Sequence, residues 1–252
     1  MIKQAVILAG GKGKRLLPLT RNLPKPMAPI NNIPFLSYLI YALKKNGIKK
    51  ILILVGYKSN KIIEYYSRYT GTDINFHFSS VKSDTGKRVL DAYNYLETEF
   101  LLLYGDNFWQ PNISKMYKKF KDKKAIISTT VFNNKSGTAE YGNENNITVK
   151  KNSFVEKYDK FRKDKKLNGV DIGFFIIKRN FLNNFKNKNK NYSFENDILT
   201  QAIKLNQLMA YRTDLQYYSI TNLKMLKKFE KISKQKKIGH IKIWKIFTKN
   251  LI

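Results

Sequence analysis

Gly10, Gly11 and Gly13, followed closely by Arg15 and Lys25, are the residues of this chain whose types and spacing best suit a chemical task. Glycine has no Cβ, so its backbone can take positive φ and turn consecutive N–H groups toward an anion. Arg15 adds a fixed fork of donors and Lys25 a compact charge, both suited to phosphate oxygens. The segment Ala5-Val-Ile-Leu-Ala-Gly-Gly-Lys-Gly-Lys-Arg-Leu16, with Leu23-Pro-Lys-Pro-Met27 after it, therefore reads as a strand running into a polyphosphate-handling loop.

A second candidate is Asp106, which leaves the apolar run Leu101–Tyr104 beside Gly105. A carboxylate released at a strand end next to glycine has open coordination positions for magnesium; an aspartate that merely caps a turn is the competing reading.

Two familiar phosphate loops are excluded. A P-loop requires Gly-x-x-x-x-Gly-Lys-Ser/Thr, whereas Gly13-Lys14 is followed by Arg15 and has Leu8 at the first glycine position. A dinucleotide fingerprint requires a third glycine where this chain has Leu16.

The elements that must position these groups follow from the apolar pattern. Ala5–Ala9, Ile51–Val55, Phe100–Tyr104, Ala125–Phe132 and Val170–Ile177 read as strands, the first three apolar enough to be central. Pro34–Asn46, Lys58–Tyr69 and Arg88–Glu97 carry helical spacing, the first ended by Gly47. Strands alternating with helices predict βαβ units and a mostly parallel sheet, with the ligand crevice beyond the carboxyl ends of its strands. Both candidate segments fall at such ends. Asn133–Asn152 reads as loops or a hairpin, and Ile241, Trp244, Phe247 and Leu251 give the C-terminus an amphipathic pattern.

The paired motif resembles the signature of the sugar-phosphate nucleotidyltransferases, the pyrophosphorylases that make nucleotide sugars. Gly10-Gly11-Lys12-Gly13-Lys14-Arg15-Leu16 stands where that family has Gly-Gly-x-Gly-Thr-Arg-Leu, with Lys14 in place of threonine, and Pro24-Lys25-Pro26-Met27 repeats its Pro-Lys-Pro-Met. The resemblance implies a three-layer α/β/α sandwich, Rossmann-like (GT-A-like), and transfer of a nucleotidyl group from a nucleoside triphosphate to a sugar 1-phosphate with release of pyrophosphate. It also implies a role in surface polysaccharide biosynthesis. A cytidylyltransferase for another phosphorylated small molecule such as phosphocholine, and a catalytically silent nucleotide-sugar-binding homologue, are the alternatives.

Carried over residue by residue, the resemblance makes Leu8, Ala9, Gly10, Gly11, Lys12, Gly13 and Lys14 the nucleotide-binding segment. Arg15 and Lys25 become the catalytic cations, on the β,γ- and α-phosphates respectively, and Asp106 the Mg2+ ligand. Thr85, Gly86 and Arg88 lie in a segment similar to the family's Thr-Gly-Gly, where Gly86 would admit the base or ribose; a helix cap at Thr85 is the alternative. Glu156-Lys157, with Tyr158 replacing a proline, and Gly173 are the implied contacts to the sugar and its phosphate. The family's second metal-binding aspartate has Ser219 as its counterpart. Asp214 or Asp171 can substitute, or one carboxylate suffices with water completing the shell.

Composition bounds the remaining possibilities. At 252 residues the chain suits one nucleotidyltransferase domain, 1–237, with a nucleotide-binding half about 1–132, a sugar-binding half about 133–237, and a C-terminal amphipathic segment 238–252. The net charge of +30 invites a nucleic-acid reading, but the lysines are spread through nearly every segment, so a solvated surface is preferred and no nucleic acid is expected. With no cysteine and two histidines, disulfides, thiolate zinc sites and histidine-rich metal sites are excluded. No run approaches the ~20 apolar residues needed to span a bilayer, so no membrane insertion and a cytoplasmic location are expected. Segment 238–252 is expected to dock on its own domain, a membrane surface or a second subunit of a homo-oligomer being the alternatives.

Overall fold

The structure is a computed structural model that describes residues 1–68, 73–185, 187 and 189–235. From the N-terminus come β1 (Gln4–Leu8), a small hairpin of β2 (Pro29–Ile30) and β3 (Ile33–Pro34), α1 (Phe35–Lys45), β4 (Lys50–Val55), α2 (Ser59–Tyr66) and β5 (Asp73–Phe78). Then follow α3 (Thr85–Asp91), β6 (Glu99–Tyr104), β7 (Asn107–Phe108), α4 (Ile113–Asp122) and β8 (Ile127–Phe132). The later part holds β9 (Ile147–Val149), β10 (Val155–Tyr158) and β11 (Val170–Lys178). A π-helical turn, Phe194–Leu199, continues as α5 (Thr200–Lys204), and β12 (Leu208–Thr213), β13 (Tyr218–Ser219) and α6 (Leu223–Gln235) complete the described chain.

Seven strands form one sheet in the order β12-β8-β11-β6-β1-β4-β5. All run parallel except β11, which is antiparallel to both β6 and β8. The pleat sends alternate side chains to opposite faces. Ala5, Ile7, Leu101, Leu103, Ile51 and Ile53 accordingly join one core with α1, α4 and α6. Val6, Leu8, Phe100, Leu102, Leu52 and Leu54 join another with α3 and α5. These two apolar layers make the three-layer α/β/α, Rossmann-like arrangement that the resemblance implies, around the mostly parallel sheet that the strand–helix alternation predicts.

The expected strands appear within one or two residues of the apolar runs, as does the helix expected at Pro34–Asn46, while the one expected over Lys58–Tyr69 ends earlier, at Tyr66. Two strands that sequence reading passes over are the sheet's edges, β5 and β12. Arg88–Glu97 is a helix beginning earlier, at Thr85, and ending at Asp91, with a 3-10 turn at Tyr93–Tyr95. The lysine-rich stretch Lys115–Lys124 is α4 and its end. Asn112 caps it by accepting from Lys115 N at 3.0 Å, and Ile113, Met116 and Phe120 face inward. Segment 238–252 lies outside the described residues.

α6 is anchored by Phe229, whose ring sits 5.3 Å from Phe35, 5.5 Å from Tyr38, 5.1 Å from Phe108 and 5.8 Å from Tyr218, centroid to centroid. Glu230 Oε1 accepts from Asn31 N at 3.1 Å, fastening the helix to the β2–β3 hairpin. The helix thereby backs the small β7–β13 pair, which follows directly on Asp106.

Candidate active site

β1 and β6 are parallel neighbours in the register Leu8↔Tyr104, so their carboxyl ends are level. The two candidate segments therefore emerge side by side, and Gly105 N donates to Leu8 O at 3.0 Å. Gly13 takes φ +62, the conformation that reverses the loop before the short turn Lys14–Leu16. Thr20 Oγ1 donates to Gly13 O at 3.0 Å and holds that reversal.

A cavity of about 260 Å³ opens beyond these strand ends. Leu8, Ala9, Gly10, Gly11 and Gly13 line it together with Lys25, Thr85, Arg88 and Asp106. The structure thus brings nine of the sequence-selected residues to one space. Val81, Ser83, Asp84, Pro26 and Gly105 complete the wall. Lys25 Nζ lies 2.6 Å from Asp106 Oδ2, a close charge-assisted bond in which the lysine side chain is only 12% exposed.

The other selected residues lie elsewhere. Lys12 and Lys14 are exposed. Arg15 points out of the cavity, its Nη1 donating to Tyr141 Oη at 2.9 Å, while Arg162 covers the Tyr141 ring at 4.4 Å. Gly86 permits a close approach, but to backbone: a Cβ there would lie 2.8 Å from Tyr192 O and 2.9 Å from Phe194 N. Gly173, at φ +76, makes room for the Tyr104 ring, which a side chain at that position would strike. Glu156 and Lys157 are exposed on β10, and Lys157 Nζ pairs with Asp164 at 2.7 Å.

Thr85 is the first residue of α3, and Asp84 holds the cap position. The Thr85 hydroxyl accepts from Phe194 N at 3.1 Å and donates to Glu195 Oε2 at 3.2 Å. Glu195 also accepts from Tyr104 Oη. Sequence reading does not single out Glu195; its signal is an acid two residues after Ser193, which caps the π-helical turn by accepting from Asn196 N. Such turns recur at functional positions. Asp171 belongs to the same polar cluster, accepting from Thr129 Oγ1 at 2.8 Å and Gly173 N at 3.0 Å. Burial pushes its carboxyl up to about 6 against these stabilising bonds, and burial likewise raises the Tyr104 hydroxyl.

Asp214 does not join Asp106. It follows the edge strand β12, three strands from β6, or about 14 Å at the usual strand spacing. Its exposed carboxylate accepts from Asn133 Nδ2 at 2.9 Å and lies 3.6 Å from Lys135 Nζ. The segment that does reach Asp106 is β13: Ser219 is the register partner of Asn107, and Ile220 N donates to Asp106 O at 3.0 Å. Ser219 Oγ is buried without a hydrogen-bond partner.

Among the described residues no group of three or more His, Cys, Asp or Glu side chains stands ready to hold a metal. A magnesium ion, however, is commonly held by one or two carboxylates with substrate phosphates and water. Asp106, beside the glycine loop, fits that limited role. No helix among the described residues is long and apolar enough to cross a membrane.

The chain matches the family described as Nucleotidyl transferase over residues 4–235. It is 33% identical over 195 residues to the D-glycero-alpha-D-manno-heptose 1-phosphate guanylyltransferase of Campylobacter jejuni, covering 76% of this chain and 83% of that protein. With the enzyme of the same name from Aneurinibacillus thermoaerophilus it shares 29% identity, covering 86% of this chain and 92% of the relative. The crystal structure of HddC from Yersinia pseudotuberculosis superposes with a TM-score of 0.75 at 21% identity, over 92% of this chain and 99% of that one.

Proposed function

This chain belongs to the nucleotidyl transferase family, and on that premise we propose how its cleft works and which acceptor it takes. It is a sugar-1-phosphate nucleotidyltransferase, joining a nucleotidyl group from a nucleoside triphosphate to a sugar 1-phosphate and releasing pyrophosphate. The acceptor's phosphate oxygen attacks the α-phosphorus as the bond from that phosphorus to the bridging oxygen of the leaving pyrophosphate breaks. Little covalent work falls to the protein, so catalysis is positioning and charge stabilisation.

The backbone of Gly10–Gly13 cradles the triphosphate, and Lys25 neutralises charge at the α-phosphate as it builds. Arg15 leaves Tyr141 to meet the β,γ-phosphates and stabilises the leaving group. Asp106 would hold magnesium, which when bound would offset the charge of the phosphates. The nucleotide half is about 1–132 and the acceptor half about 133–237. Heptose 1-phosphate, the acceptor named for both relatives, is the acceptor we propose here, with the product feeding surface polysaccharide assembly.

The observation that supports this cleft is the single cavity shared by the glycine loop, Lys25 and Asp106. Its test is to incubate protein and magnesium with each nucleoside triphosphate against heptose, glucose and other hexose 1-phosphates and to measure pyrophosphate. Release with heptose 1-phosphate well above the hexoses is expected. Equal release with every acceptor would overturn the heptose assignment, and no release with any pair would overturn the cleft.

A further inference from the structure

Arg88 is a buried cation that the phosphate chemistry does not use. It rises from α3, is 4% exposed, and its guanidinium lies in a slot between the Cα atoms of Gly10 and Gly56, at the ends of β1 and β4. A Cβ on Gly56 would come within 2.6 Å of Arg88 Nη1, and one on Gly10 would overlap the guanidinium. Gly10 thus makes room for this side chain, and Gly56 for both it and the Gly10 backbone.

Having been brought inside, the guanidinium is poorly satisfied. Arginine carries five N–H donors, and a buried cation is normally paired. Here Nη1 donates to Ser79 O at 3.5 Å and Nη2 to Val81 O at 3.4 Å, both at the long limit of a hydrogen bond. Among the described residues no carboxylate lies within ion-pair distance of it. Burial lowers its pKa, opposed by Asp84 and Asp91, yet a guanidinium stays charged in proteins. Such an under-satisfied group, lining the nucleotide cavity, has donors to offer a ligand.

The two ends of the glycine segment differ. Gly13 sits against Lys25, whose partner is Asp106, and this is the phosphate end. Gly10, three residues before Gly13, sits against Arg88, whose Nη2 donates to Val81 O in the wall of the same cavity. A nucleotide whose phosphates occupy the first end directs its base to the second.

We propose that Arg88 reads the base, selecting a nucleobase that presents two adjacent hydrogen-bond acceptors on one edge. This rests on the nucleotidyltransferase reading of the cleft. Guanine offers O6 and N7, the pair most often taken by an arginine fork, and cytosine offers O2 and N3. Uracil and thymine place an N–H between their carbonyls, and adenine sets its amino group beside N7, so each turns a donor toward one arm of the fork. A donor facing a buried donor leaves both unpaired, which is the costly mismatch.

The test is binding of GTP, CTP, UTP, dTTP and ATP to the full chain by calorimetry with magnesium and no acceptor, for the parent, Arg88→Gln and Arg88→Lys, with circular dichroism as the fold check. The parent should bind GTP or CTP at least about tenfold more tightly than the other three, and Arg88→Gln should collapse that preference while leaving UTP and ATP within about threefold. Which of GTP and CTP wins identifies the edge. A uniform fall for all five in a folded variant would make Arg88 a structural or phosphate group and overturn the proposal. A parent that binds all five equally would overturn it too. The analogue lacking one acceptor, 7-deaza-GTP or 3-deaza-CTP, needs no mutation: on the parent it should bind about tenfold more weakly than its normal counterpart, and equal binding refutes the reading. Pyrophosphate release by the parent keeps the two questions apart, since turnover without base preference defeats this inference alone.

Discussion

Ser219 lies opposite Asn107 in the β13–β7 pair, one residue along from Asp106, and its hydroxyl is buried with no partner. A carboxylate placed there is buried on the strand that pairs beside the proposed magnesium ligand, with Lys228 among the residues lining the same small space. Ser219→Asp is expected to melt below the parent without magnesium and to recover most of that loss when magnesium and a triphosphate are added, because binding to the folded state alone stabilises it. The half-saturating magnesium concentration for turnover should fall. Thermal melts with and without the metal decide it; a deficit that magnesium leaves untouched would place residue 219 away from the ion.

Lys25 and Asp106 act as one charged unit, and each supports the other's position. Asp106→Asn and Lys25→Ala are each expected to lower turnover by at least about a hundredfold with the fold intact, the scale of losing one preorganised group in a charge-stabilising site. Pyrophosphate release checks the rate and circular dichroism the fold. Near-normal rates in both variants would relocate the reaction.

Arg15 is 65% exposed and bonded to Tyr141. Its removal costs the resting protein little, since surface contacts of this kind contribute at most about 1 kcal/mol. Turnover is expected to fall by at least about a hundredfold in Arg15→Ala. A variant equally active and equally stable would show that the arginine stays with Tyr141 throughout the cycle.

Asp171 carries a stability signature. Its carboxyl is raised by burial from 3.8 to about 6, so the folded state binds a proton that the unfolded chain has released over that interval. The stabilisation that goes with this proton is complete below the unfolded value and is lost as pH rises through about 6. Asp171→Asn keeps an oxygen for Thr129 and Gly173 and removes the charge. Relative to the parent it should gain stability between pH 4 and 6 and hold a gain of up to about 3 kcal/mol at pH 8, at 1.36 kcal/mol per pKa unit. Urea unfolding across that range measures the difference, and a flat one would mean that the carboxyl ionises normally.

Phe229 joins four rings from α1, β7 and β13. Phe229→Ala is expected to cost about 3–5 kcal/mol through the cavity it leaves. Chemical denaturation gives the figure; a loss below about 1 kcal/mol would mean that α6 is not held by this ring.

The sequence discloses the nucleotide side of the cleft well because its signals are local. Apolar β1 and β6 run straight into glycines, and the side chains that follow, Lys25 and Asp106, meet once those strands are parallel neighbours. The rest is less legible. Gly86 and Gly173 are spared a side chain for the sake of protein neighbours, Phe194 and Tyr104, which are distant in the chain and leave no mark on local spacing. Glu195 sits in an irregular helical turn with no repeating pattern. The edge strands β5 and β12 have partners on one side only, so they lack the continuous apolar runs that mark the centre. The direction of β11 left no trace in composition at all.

That reversal has an evolutionary reading. β8 finishes, and β11 starts, at the rim where Asp106 stands, so residues 133–169 form an excursion that leaves from and returns to one place. Such a stretch can be lengthened, shortened or exchanged like a graft without shifting the pairing of the strands that end at the glycine loop and Asp106. On the division of the cleft proposed above, rewriting this passage is the route by which a lineage exchanges its sugar.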